Sequence, residues 1–271
     1  MNLTPYVPLV ERIGAHALPL YLAALPALLL VVAGLWALAR RYAVPRDDSM
    51  LPPAAFLLVR MAFGFAVVVG GALLFAELAE QLGDPGDAQR LGALDDALSA
   101  AVGRNLPPLA LQFFATFTHL ADTATLSVLG VGVAAALVWR GRRWLALGWA
   151  VAVAGNAVLN VTLKGIFERT RPLHDTTLFQ PHGWSFPSGH SSGAVVAYGM
   201  LAYVLVRTWP PAMTPWGGLG VVLAASAVAF TIGCSRIFIQ VHYATDVLAG
   251  FASGSAWLAV CISSIELTRH Y

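Results

Sequence analysis

Residues 17–39 read ALPLYLAALPALLLVVAGLWALA, an apolar run without one Asp, Glu, Lys, Arg or His. A helix crossing the hydrocarbon core of a bilayer needs about 20 mainly apolar residues. An isolated strand would leave its backbone polar groups unsatisfied in lipid, so the run reads as a helix. Arg40 and Arg41 follow at once, with Arg46 close behind. Positive charge after the apolar run is the reverse of a secretory signal peptide, and the segment reads as an uncleaved anchor.

Six further stretches pass the same test, at about 54–79, 118–139, 144–164, 189–207, 216–235 and 244–264. The composition agrees. Hydrophobic residues make up 58% of the 271 and charged residues 11%, where a soluble domain has roughly 25% charged. Mean hydropathy is +0.71. Such a chain cannot cover itself with polar surface, so lipid is its solvent. The expected fold is all-α, a polytopic membrane helical bundle of about seven spans. A net charge of +2, with no basic run or aromatic platform, speaks against nucleic acid as a partner. Cys234 and Cys261 fall in apolar runs towards opposite faces, and no disulfide is expected between them.

Orientation follows from arginine. Arg40, Arg41 and Arg46 follow the first span; Arg140, Arg142 and Arg143 the third; Arg207 the fifth; Arg269 the last. With alternating spans all share one side, which the positive-inside rule makes cytoplasmic. The N-terminus is then outside and the C-terminus cytoplasmic. An acidic loop at about 80–108 faces out, with Glu80, Asp84, Asp87, Asp95 and Asp96.

This topology places three polar stretches at the outer boundary. The first is KGIFERTRP, Lys164–Pro172, which holds the one lysine of a chain with fifteen arginines. If the helix runs on through it, Lys164 and Arg171 share a face, about 10 Å apart along the axis, until Pro172 stops it. Two fixed cations on one face make an anion clamp, with Lys as a compact point charge and Arg as a planar fork. The second is PSGH, Pro187–His190, a helix start that Ser188 can cap and where Gly189 admits a close ligand. Free N–H groups at such a start attract anions. The third is SRIFIQVHYATD, Ser235–Asp246. Here His242 and Asp246 stand four apart, hence on one helical face, and the carboxylate fixes the ring tautomer. The other ring nitrogen is left to attack or to take a proton, and Arg236 adds a third cation. Cations, N–H donors, an oriented His and a second His are what a phosphoryl transfer without metal requires.

The three blocks, in this order and spacing, resemble the KxxxxxxRP, PSGH and SRxxxxxHxxxD signature of the type 2 phosphatidic acid phosphatase superfamily. The resemblance implies a six-helix phosphatase core over residues 54–271, with residues 1–53 adding an N-terminal transmembrane helix and a cytoplasmic loop. It implies that His242 is the nucleophile of a phosphohistidine intermediate, that Asp246 orients it, and that His190 is the acid and later the base. It also implies that Lys164, Arg171, Ser188, Gly189 and Arg236 hold the phosphate, with Arg169 and Ser235 as weaker candidates. No cofactor and no metal are expected. The expected partners are a lipid phosphate and membrane lipids, and the expected location is the bacterial inner membrane, with a periplasmic active site. Undecaprenyl diphosphate leads the substrate expectations, ahead of phosphatidylglycerol phosphate, phosphatidic acid and lipid A. A phosphotransferase with the same site and a non-enzymatic anionic-lipid transporter are the competing functions.

Other ionisable and polar residues read more plainly. Arg60 is expected to snorkel to the cytoplasmic interface. Asn156 and Asn160, on one face of the fourth span, are expected to hydrogen-bond between helices. His119 and Asp122 open the third span on the outer side and are functional candidates by position. His174, Asp175, His182 and Trp184 lie in the outer loop before PSGH.

Overall fold

The computed structural model describes residues 6–42, 53–172, 183–208 and 215–268. All described regular structure is helical, in ten α-helices and one 3-10 turn. Five long helices meet the length and hydropathy of a span without a break in them: α3 (Pro53–Gly83), α7 (Arg143–Phe167), α8 (Gly189–Thr208), α9 (Pro215–Phe238) and α10 (Ala244–Thr268). A sixth, α2 (Ala17–Tyr42), is the apolar run quoted above. The protein is therefore a multi-pass membrane helical bundle.

The expected span at 118–139 differs. Helix α5 (Pro108–Phe117) and the 3-10 turn Thr118–Ala121 meet α6 (Thr123–Trp139) at an angle of 43°, broken at Asp122. Asp122 is extended, with φ −62° and ψ 149°. Counting the bent pair gives seven spans. The acidic segment at 80–108, expected as a loop, is mostly helix α4 (Pro85–Asn105). Asp84 caps it, accepting from the backbone N–H of Gly86 at 2.8 Å and Asp87 at 3.0 Å, and Pro85 sits where a missing N–H costs nothing. A short helix, α1 (Val7–Ala15), lies against α4 so closely that a Cβ on Gly14 would meet that of Ala101 at 2.6 Å.

The first span is no loose appendage. Tyr21 of α2 is buried among the rings of Phe114, Phe230 and Phe238, and its hydroxyl pairs with Thr231 Oγ1 at 2.8 Å. At the centre of the bundle, Asn156 and Asn160 of α7 both direct Nδ2 to Ser192 Oγ of α8, at 3.5 and 3.3 Å, the expected interhelical bonds. Helix α10 crosses the start of α8 at backbone contact: a Cβ on Gly250 would stand 2.6 Å from the Ser188 carbonyl oxygen. Both cysteines are free. Of the arginines used for orientation, Arg46 and Arg269 lie outside the described residues.

Candidate active site

The three polar blocks converge at one end of the bundle, though not by the local geometry that their spacing suggests. Helix α7 ends at Phe167, and Glu168 turns into the left-handed region with φ 44°. Arg171 is therefore beyond the helix, and no common helical face joins it to Lys164. The meeting point is the segment before α8. Lys164 Nζ donates to the carbonyls of Trp184 at 2.6 Å and Ser185 at 3.2 Å. Arg171 donates to the carbonyls of Gly183 at 3.0 Å, Trp184 at 3.2 Å and Val241 at 2.8 Å. Phe186, fully buried against Phe75 and Phe167, anchors that segment.

His242 also precedes its helix, since α10 begins at Ala244. Asp246 reaches back from the first turn. Its Oδ2 accepts the backbone N–H of Tyr243 at 2.9 Å, as the third helical residue of a capping box does, and lies 3.3 Å from His242 Nδ1. The pair thus arises from a helix cap, not from i,i+4 stacking. Asp246 is wholly buried; Ser185 Oγ donates to Oδ2 and Arg169 Nη1 to Oδ1 at 2.7 Å. With Nδ1–H donated to Asp246, the Nε2 lone pair of His242 accepts from Arg171 Nη1 at 3.1 Å. Burial pushes the His242 pKa down to about 3; the Asp246 carboxylate pulls it back only in part, and Arg236 and Arg171 add to the fall. The ring is neutral at physiological pH, as an attacking nitrogen must be.

Ser188 caps α8, its buried Oγ accepting from the N–H of Ser191 at 3.3 Å. Gly189 lies so near Asn160 that a Cβ would stand 2.9 Å from its Oδ1. His190 follows, with Nε2 3.0 Å from Asp122 Oδ1, while the other oxygen of Asp122 holds His119 Nδ1 at 2.7 Å. The break at Asp122 thus brings a carboxylate to the second histidine. Trp184, expected in the outer loop, supplies the carbonyl shared by Lys164 and Arg171; His174, Asp175 and His182 lie outside the described residues.

The cations sort by their partners. Arg169 is held by Asp95 at 2.9 Å and Asp246 at 2.7 Å, and its guanidinium lies 4.4 Å over the Tyr243 ring. Burial works against its charge, but the two carboxylates outweigh it and its pKa is raised. Lys164, Arg171 and Arg236 have no carboxylate within 4.0 Å among the described residues. Arg236 is 6% exposed and bonds Thr118 Oγ1 at 2.8 Å, and its buried Nε has no partner among the described residues. Burial also lowers the Arg171 pKa. Ser235 is spent elsewhere, its Oγ donating to the Ile232 carbonyl at 2.6 Å. Sequence reasoning left Asp95, Thr118 and Ser185 unassigned. Asp95 stood in an acidic stretch whose helix was not foreseen, and nothing near Thr118 or Ser185 signals a partner so distant in the chain.

A bundle crossing the membrane several times, with unpaired cations around a neutral, carboxylate-oriented histidine, defines a membrane phosphoryl-handling enzyme. The PAP2 superfamily profile matches residues 143–269, and the chain belongs to this family. Phosphatidylglycerophosphatase B of Bacillus subtilis (strain 168) is 32% identical over 160 residues, 59% of this chain and 77% of that protein. Decaprenylphosphoryl-5-phosphoribose phosphatase of Mycolicibacterium smegmatis is 29% identical over 163 residues, 59% of this chain and 78% of that protein. The crystal structure of a transmembrane PAP2-type phosphatidylglycerolphosphate phosphatase from Bacillus subtilis superposes with a TM-score of 0.67 at 29% identity, covering 74% of this chain and 97% of that one. The protein is a membrane lipid phosphatase of the PAP2 superfamily.

Proposed function

We propose that the chain hydrolyses a phosphate monoester on a glycerophospholipid head group, with phosphatidylglycerol phosphate the leading substrate, through a phosphohistidine on His242 Nε2. The observation that carries this is the set of three cations, Lys164, Arg171 and Arg236, left without carboxylates beside a neutral histidine. A buried cation without a partner is costly, and a phosphate dianion would supply the missing charge.

The Nε2 lone pair attacks phosphorus as Arg171 passes from Nε2 to the phosphate oxygens. The bond from phosphorus to the glycerol oxygen breaks, and His190 donates a proton to that oxygen. Asp246 holds Nδ1–H, so the ring carries the phosphoryl group with its tautomer fixed. Water then attacks, His190 takes its proton, the P–N bond breaks and His242 returns to the neutral state. Arg169 serves by placing Asp246, and Asp122 by placing His190. The N-terminal segment 1–53 adds a helix to a core formed by 54–271, and the catalytic end faces the periplasm of a bacterial inner membrane.

The choice of lipid rests on the relatives' names. One family of relatives acts on phosphatidylglycerol phosphate and another on a decaprenyl-linked sugar phosphate, so a polyprenyl-linked phosphate is the second reading. Undecaprenyl diphosphate, the first expectation from sequence, belongs on the same panel. Phosphate release from each lipid by the purified protein and by His242→Ala tests the proposal. A clear preference for phosphatidylglycerol phosphate, abolished by His242→Ala, supports it. Equal release by the mutant overturns it. Release only when an alcohol acceptor is added would mark a phosphotransferase.

A further inference from the structure

A cavity of about 980 Å³ lies between α2 and the bundle formed by α3, α8, α9 and α10, starting at Val195, about 8 Å along α8 from His190, and running away from the catalytic end. That volume stands at the upper end of small-molecule sites, roughly 300–1,000 Å³. Its walls are almost wholly apolar, with Leu28 and Trp36 of α2 facing Ala225 and Leu258 across it. Along α8 it runs from Val195 to Arg207, a rise of about 18 Å, and Arg207 lies about 26 Å along that helix from His190.

The far end is charged. Glu266 of α10 accepts from Arg60 Nη1 at 3.1 Å and from the Tyr203 hydroxyl at 2.6 Å, and Arg207 Nε stands 3.6 Å away. Arg60 therefore does not simply snorkel to the interface as expected. Among the described residues, two arginines and one carboxylate make up this cluster, and the buried Nε of Arg60 has no hydrogen-bond partner there. Arg40 and Arg41 end α2 at the same side. One anionic group would balance the cluster among the described residues, and the apolar walls running from it suit a molecule whose remainder is a long apolar chain.

We infer that this crevice is a binding site for one anionic diacyl phospholipid, separate from the catalytic site, with an acyl chain between α2 and the bundle and its phosphate on Arg60 and Arg207. Charge complementarity selects an anionic over a zwitterionic head group, because only a head group of net negative charge offsets the excess positive charge of the described cluster. The first span thereby acquires a role: it forms the outer wall of the lipid site.

Native mass spectrometry of the full chain tests this, with vanadate present to fill the catalytic site. The probes are dioleoyl phosphatidylserine and dioleoyl phosphatidylcholine. The expected result is retention of one phosphatidylserine and no phosphatidylcholine, with retention at least about tenfold weaker in Arg60→Gln/Arg207→Gln. Ser226→Trp fills the apolar wall without touching the charges and should displace the lipid equally. Hydrolysis of a water-soluble phosphate ester should be unchanged in both variants, since neither touches the catalytic end. Equal retention of both lipids, or phosphatidylserine retention unaltered in Ser226→Trp, would overturn the inference. If the double arginine variant fails to fold, Ser226→Trp decides alone.

Discussion

Arg169 and Arg171 stand two residues apart in one block, yet they have different partners, carboxylates for Arg169 and backbone carbonyls for Arg171, and replacing each by Gln should separate them. Arg169 is 11% exposed in its side chain and joins Asp95, 4% exposed, to Asp246, fully buried. Removing it leaves two buried carboxylates facing each other without their shared cation. Breaking a buried pair from one side costs about 3–5 kcal/mol. On the scale of domains of this size, that lowers the melting temperature by roughly 6–20 °C. Arg171 donates only to backbone carbonyls and to His242 and faces no carboxylate. Arg171→Gln removes an uncompensated half-buried charge together with its bonds to three carbonyls, so the loss to the fold should be smaller than for Arg169→Gln. Its loss should fall on transition-state charge, about 10²–10³ in kcat/KM. The assays are thermal unfolding of detergent-purified protein and phosphate release. An Arg169→Gln protein as stable as wild type, or an Arg171→Gln protein destabilised to the same degree, would refute the division of cations by partner.

Asp122→Asn leaves an amide near His190 but removes the charge that holds Nε2, and it should lower kcat about 10–100-fold without moving the melting temperature, the carboxylate being 41% exposed; unchanged kcat would remove Asp122 from the mechanism. His242 takes a proton near pH 6.5 when unfolded and at about 3 when folded, so its share of stability is lost as pH falls below 6.5. Between pH 7 and 5 wild type should lose about 2 kcal/mol more than His242→Gln, and equal losses would contradict a neutral buried ring. Vanadate should inhibit at millimolar levels or below, because it can take the five-coordinate geometry of the transferring phosphorus, and EDTA should leave activity intact because Lys164, Arg171 and Arg236 carry the charge; rescue by Mg²⁺ after EDTA would contradict this.

The fold was legible wherever apolar length decides it. The run 17–39 and the four spans from 144 onwards appear as helices close to their expected ends, because lipid leaves the backbone few options. The span expected at 118–139 differs because the apolar stretch begins earlier, as α5 from Pro108, and the polar residues His119 and Asp122 that were expected to open it instead sit at a bend, held by what that carboxylate meets in three dimensions. The three blocks named residues that the fold brings together at one end of the bundle, but their spacing implied the wrong local geometry. Lys164 and Arg171 meet through the Trp184 carbonyl, and His242 and Asp246 through a cap, both set by a segment anchored at Phe186. The signature ranked Arg171 above Arg169, but the physical reason lay outside it: Asp95, on an unforeseen helix, pairs with Arg169 and leaves Arg171 without a carboxylate.

The most direct test of the account is whether phosphate rests on His242. The protein would be mixed with phosphatidylglycerol phosphate radiolabelled in its terminal phosphate, quenched in alkaline detergent, and digested for peptide mapping. A transient label, stable to base and labile to acid, is expected on the peptide holding His242 and absent from His242→Ala. Turnover of the lipid with no protein-bound label at any time, or label retained in His242→Ala, would contradict it.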